Sequence, residues 1–127
     1  MSVEEKEILY KELSYKITGL SLEVYNELGF GFLEKVYENA LMILFRENGI
    51  KAEQQKSLPV YFKEHLIGEY FSDILVEDKI ILEVKTIEAF SSAHYAQLLN
   101  YLKVTQLRLG ILLNFGPNRL SYKRIIK

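Results

Sequence analysis

The sequence predicts a mixed α/β fold (α+β mixed) of two helices, three strands, a helix and two strands, ααβββαββ. Three observations carry this reading. Apolar residues recur at helical spacing up to Phe45. Between residues 52 and 86 the apolar runs are short and broken by polar turns. A helical stretch then separates the run at 80–86 from the continuous, largely apolar Leu109–Phe115. A strand–helix–strand passage of that kind joins parallel strands by a right-handed crossover.

The elements follow in order. Ser2 with Glu5 makes a capping-box pattern at a helix start. Leu9, Leu13, Ile17, Leu20, Val24 and Leu28 form one stripe of a long first helix, which Gly29 and Gly31 end. Leu33, Val36, Tyr37, Ala40, Leu41, Leu44 and Phe45 define a second helix, closed by Asn48-Gly49. So short a link predicts a helical hairpin. Residues 52–63, 66–76 and 80–86 read as strands, with Lys63-Glu64-His65 and Glu77-Asp78 near the turns. Ser91 or Ser92 opens a third helix running to about Val104. Leu109–Phe115 suits a strand buried on both faces, and Leu120–Ile126 suits an edge strand after the Gly116-Pro117-Asn118 turn. About five strands flanked by helices result.

A length of 127 residues fits one domain, 1–127, with a real core. There is no Cys, hence no disulfide framework, zinc-thiolate site or thiol nucleophile. That absence suits a reducing cytoplasm. No apolar run reaches the roughly 18 residues of a membrane span, and the acidic N-terminus lacks the layout of a signal peptide. A net charge of -1 argues against a protein that coats nucleic acid electrostatically. Arg119, Lys123, Arg124 and Lys127 are the best basic patch, read first as a solvated C-terminal strand.

The most informative stretch is Asp73-Ile-Leu-Val-Glu-Asp-Lys-Ile-Ile-Leu-Glu83-Val-Lys85. Asp is disfavoured in strands, yet Asp73 stands in an apolar run, and the only other Asp, Asp78, has a turn reading. Glu-x-Lys also occurs at Glu4/Lys6 and Glu77/Lys79, but only Glu83/Lys85 lies inside a strand pattern. Strand period puts Glu83 and Lys85 on one face. Two carboxylates about 4 Å apart repel by roughly 4 kcal/mol at an effective dielectric near 20. A divalent cation between them reverses that penalty, and Mg²⁺ favours few carboxylates plus waters. A surface ion pair between Glu83 and Lys85 is the plainer alternative.

Loop parity tests the idea. A two-residue Glu77-Asp78 loop would pair Asp73 with Leu82 and point Asp73 and Glu83 to opposite faces. An odd loop pairs Asp73 with Glu83, and that arrangement is the one predicted.

Gly31-Phe-Leu-Glu34-Lys-Val-Tyr37 spells Gly-x-x-Glu-x-x-Tyr and continues into Glu38-Asn-Ala-Leu41. It resembles the bacterial and archaeal GxxExxY protein family, assigned to the PD-(D/E)XK nucleases. The resemblance extends to Leu58-Pro-Val-Tyr61, Asp73–Lys85, Ala96–Lys103 and Gly110–Gly116. It implies a restriction-endonuclease-like core. It also implies that Asp73 and Glu83 are metal-binding acids, Lys85 the catalytic lysine and Glu34 an additional helical metal ligand. Gln97 and Tyr101 resemble a Gln-x-x-x-Tyr nuclease motif. Two positions depart from the family's usual look: Tyr25 stands where members often carry His, and Phe30 where they often carry Pro.

The resemblance implies a nuclease that uses Mg²⁺ or Mn²⁺ on DNA or RNA, with a homodimer as one way to build the groove. The alternative is a catalytically silent nuclease-fold binding or assembly module. For Tyr37 and Tyr101, core packing competes with function. His94 reads as a capped, solvated histidine and His65 as a turn residue. Hydrolysis of another phosphate ester is a third reading, without a nucleotide-binding loop to support it.

Overall fold

The computed structural model describes residues 8–127. The elements are α1 (Lys11–Leu28), α2 (Glu34–Glu47), β1 (Ala52–Phe62), β2 (His65–Val76), β3 (Ile80–Lys85), α3 (Ser92–Thr105), β4 (Leu109–Phe115) and β5 (Leu120–Ile126). The order is the predicted one. The first helix begins later than the apolar stripe suggested. Tyr10 sits in the left-handed region with φ 51° immediately before Lys11, so Leu9 packs on the core from outside the helix. The Ser2–Glu5 cap lies outside the described residues.

The strands form one sheet in the order β1-β2-β3-β4-β5. Only β3 and β4 are parallel, as the crossover through α3 required. Strand alternation then assigns the faces. Ile74, Val76, Ile80, Leu82, Val84, Ile111 and Leu113 meet Ile17, Leu20, Val24, Tyr37, Leu41 and Phe45 of α1 and α2. Leu75, Ile81, Leu112 and Ile125 meet Leu98, Tyr101 and Leu102 of α3 on the other side. All seven residues of β4, Asn114 among them, are buried, as the largely apolar run predicted. Gly110 lets α3 come close, because a Cβ there would stand 2.7 Å from the Leu98 side chain. Among the described residues no helix is long and apolar enough to cross a membrane.

The Gly-x-x-Glu-x-x-Tyr motif has a structural explanation. Gly29 and Gly31 hold φ of 69° and 119°, conformations that L side chains rarely adopt. The fully buried Tyr37 donates its hydroxyl to Gly29 O at 2.6 Å and accepts from Phe32 N at 3.3 Å. Its ring stacks on Phe115, with centroids 4.4 Å apart. Tyr37 therefore pins the α1–α2 loop to the core and fixes where α2, with Glu34 at its first position, begins. At the end of α1, Tyr25 donates to Gly116 O at 2.5 Å.

Candidate functional site

The β2–β3 loop has three residues, since Val76 pairs with Ile80. Glu77 and Asp78 both take positive φ, and Lys79 N closes the turn on Val76 O at 2.9 Å. The odd loop sets Asp73 opposite Glu83, on the face that α3 covers.

The backbone ladder stops one step before them. Regular pairing runs from Val76/Ile80 to Ile74/Leu82. Beyond that the carboxylates take over. Asp73 N donates to Glu83 Oε2 at 2.9 Å, and Val84 N donates to Asp73 Oδ2 at 2.7 Å. Each acid thus holds the other strand's backbone with one oxygen. Asp73 Oδ1 has only a long contact, 3.5 Å, from Gln55 Nε2.

The other neighbouring strand breaks at the same level. Gln54 pairs with Ile74 and Lys56 with Ser72, while Gln55, between them, has φ 51°. A glutamine held there costs about 1–2 kcal/mol relative to a right-handed conformation. Strained backbone of this kind gathers at functional sites. The Gln55 amide reaches Glu38 Oε1 at 3.1 Å, and Gln54 Nε2 reaches the same oxygen at 3.1 Å. Glu38 is only 4% exposed, with Lys35 Nζ 3.6 Å from its carboxylate. Sequence reasoning missed both residues. Glu38 follows Glu34 by one helical turn, a signal that was available. Gln55 gave none.

The electrostatics follow from burial. Glu83 is 3% exposed. Burial, then the charge of Asp73, push its carboxyl up to about 8, against relief from the Asp73 N–H and Lys85. Asp73 is also raised, first by burial and then by Glu38 and Glu34, while the Val84 N–H and Lys85 oppose the shift. Tyr101 is raised by burial and by the two acids, so its phenol keeps its proton. Its ring lies 5.4 Å from that of Tyr70.

Asp73, Glu83 and Tyr101 therefore come together, with Lys85 close enough to act on both acids. No Glu83–Lys85 ion pair within 4.0 Å forms among the described residues, so the plainer alternative is not what is found. Glu34 bears on Asp73 from the start of α2, but less than Glu38 does. Gln97 is not drawn in. It is exposed and lines a groove with Asn100, Lys103 and Lys127, because Leu98 and Tyr101 take the inward face of α3. His94 accepts from Ser91 N at 2.9 Å, a cap as expected, and His65 opens β2 just after the turn.

Asn114 lies in the Gly110–Gly116 stretch, where spacing alone gives it no role. It is buried beside Lys85 in the sheet register. Its amide accepts from Ile87 N and donates to Ile87 O, both at 2.8 Å. The clamp imitates strand pairing and steers the chain as it leaves Lys85. Gly116 leaves it room, since a Cβ there would come 3.0 Å from Asn114 Nδ2.

A model of the PD-(D/E)XK nuclease superfamily matches residues 11–125. The chain belongs to that superfamily. Among solved structures, the crystal structure of SSO0001 superposes with a TM-score of 0.59 at 20% identity, covering 73% of this chain and 49% of SSO0001. That likeness is one of fold, and this chain spans about half the length of SSO0001. No curated protein matches.

Superfamily members generally use divalent metal ions. Among the described residues no group of three or more His, Cys, Asp or Glu is gathered to hold one. The donor set nevertheless fits a hard cation. Burial raises both adjoining carboxyls, the charge of Asp73 raises Glu83 further, and Mg²⁺ is commonly held by one or two carboxylates with water and substrate phosphate completing its shell.

Proposed function

We propose that this chain is a metal-dependent nuclease that hydrolyses phosphodiester bonds in DNA or RNA. The observation that carries the reading is the meeting of Asp73 and Glu83 where the β2–β3 ladder opens. The sequence likeness of Gly31-x-x-Glu34-x-x-Tyr37 to the GxxExxY proteins supports it.

Asp73 and Glu83 would hold Mg²⁺ or Mn²⁺, with Glu34 the third candidate ligand. Such an ion, when bound, lowers the pKa of water and draws charge from phosphoryl oxygens. The protein's own groups do the rest. The crossed backbone bonds fix both carboxylates, so little reorganisation is needed on binding. Lys85, on the same strand face as Glu83, sets a positive charge where the attacked phosphate becomes more negative. The protonated Tyr101 hydroxyl donates a hydrogen bond from the α3 side. Gln55 and Glu38 act as positioning residues, bracing Asp73 from β1 and α2. Gln97 would join only if substrate met the outer face of α3.

The test is incubation of purified protein with end-labelled DNA and RNA plus Mg²⁺ or Mn²⁺. Cleavage is expected, with Asp73→Asn and Glu83→Gln at background. Lys85→Ala should lose on the order of 10²–10³ in rate, as when a charge-stabilising donor is removed. No cleavage of either polymer, or cleavage indifferent to these changes, defeats the proposal.

One observation favours the alternative of a catalytically silent binding or assembly module: among the described residues no third acid or histidine joins the two carboxylates as a metal-holding group. Calorimetric titration separates the readings. A nuclease binds Mn²⁺ in a manner that Asp73→Asn abolishes; a silent module shows no such binding.

A further inference from the structure

The four basic residues of the C-terminal strand do not form one patch. Arg124 is turned inward and donates to Leu9 O. Lys127 lies in the groove beside Gln97. Arg119 and Lys123 instead line a cleft of about 680 Å³ with Phe90, Asn118, Tyr122 and Glu88. Neither cation has an ion-pair partner within 4.0 Å among the described residues.

The sheet register ties this cleft to the acids. Glu83 is paired with Leu112, and Leu112 with Lys123. Lys123 thus stands in the same row as Glu83 and on the same face, two strand spacings away, about 10 Å. One row further, Lys85 is paired with Asn114 and Asn114 with Ser121, and both Asn114 and Ser121 line the cleft. The Asn114 clamp on Ile87 carries the chain from Lys85 directly into the wall formed by Glu88 and Phe90.

We propose that this cleft binds a single-stranded stretch of polynucleotide flanking the bond to be cut. The inference rests on the nuclease reading. Arg119 and Lys123 take phosphates, while the partly buried Phe90 offers a face on which a base stacks. Cations beside an aromatic ring along a groove are what single strands require. Glu88 is the one opposing charge and lies at the rim by its exposure. With a net charge of only -1 over the whole chain, a local site rather than a general field must capture the strand.

The experiment is fluorescence anisotropy of labelled dT12 and U12 oligonucleotides on the full chain in EDTA, across a salt series. Arg119→Ala/Lys123→Ala should weaken binding about tenfold at low salt. It should also flatten the slope of log affinity against log salt by about 1.4, or ~0.7 per lost phosphate contact. Phe90→Ala should weaken binding about fivefold or more at every salt concentration, leaving the slope unchanged. Lys11→Ala/Lys16→Ala, removing equal charge from α1, should stay within twofold, and thermal melting should show all variants folded. The proposal is overturned if wild type binds neither oligonucleotide, if the cleft variants bind like wild type, if the α1 control weakens binding equally, or if duplex binds better than single strand. Cleft-dependent binding without cleavage in Mg²⁺ would sink hydrolysis and leave the cleft standing. Cleavage with cleft-independent binding would do the reverse.

Discussion

The two ends of the β2–β3 hairpin obey different rules. At the turn end, Ile74, Val76, Ile80 and Leu82 are fully buried and pair by backbone bonds. One residue further on, Asp73 and Glu83 replace those bonds with carboxylate-to-backbone contacts, and the strands no longer form a regular ladder. The turn end gains from every group it buries. The open end holds two acids whose charged forms are disfavoured by the burial that stabilises their neighbours. The difference teaches that the site is an interruption of the sheet, supported by the regular pairing beside it.

Substitutions that break each end should separate stability from activity. The largest effect on stability is expected at the turn end. Ile74→Ala or Leu82→Ala should lose about 2–5 kcal/mol in urea unfolding, the usual cost of such truncations in a packed core. Activity per folded molecule should persist. Loss of activity without loss of stability would reverse the comparison.

At the open end the sign changes. Glu83, raised to about 8, is a carboxyl whose folded pKa lies above its unfolded value. Its contribution to stability is therefore full below the unfolded pKa, near 4.5, and is lost as pH rises through about 8. Metal-free protein should become less stable across that window. Glu83→Gln should flatten the dependence and be more stable than wild type at pH 8.5, by on the order of 2 kcal/mol. Mg²⁺ should restore the wild type and leave the variant unmoved, because only an ion that binds the native state stabilises it. A pH-independent wild type would remove the electrostatic half of the comparison.

A smaller effect separates strain from contact at Gln55. Gln55→Gly and Gln55→Ala both delete the amide that joins Glu38 to Asp73, but only glycine tolerates φ 51° freely. The glycine variant should be more stable than the alanine variant by about 1 kcal/mol in the same unfolding assay. Equal stabilities would mean that the β1 interruption stores no strain. The smallest change is Tyr37→Phe, which keeps the stack on Phe115 and removes the hydroxyl bond to Gly29 O. A loss of about 0.5–1.5 kcal/mol is expected by chemical denaturation. The hairpin acids should feel little of it.

Much of this was legible beforehand. Helix and strand positions followed from apolar spacing, and the turn residues marked the breaks. That Asp73 and Glu83 face each other was expected only if the loop were odd, and the Val76/Ile80 pairing supplies the three-residue loop that makes it so. The start of α1 was not legible, since the apolar stripe continues to Leu9 while the backbone turns at Tyr10.

The sequence by itself determined what lies along each strand: two acids and a lysine on one face, and the loop that brings the acids level. Only the tertiary structure decided what surrounds them. Glu38 and Gln55 join because α2 packs against β1, while Gln97 stays outside because Leu98 and Tyr101 claim the buried side of α3. Arg124 is taken inward by Leu9 as Lys123 is left facing the cleft. The physical reason is that periodicity is a property of one element, whereas the choice of neighbour depends on how helices settle on a sheet, and that is set by packing over the whole core.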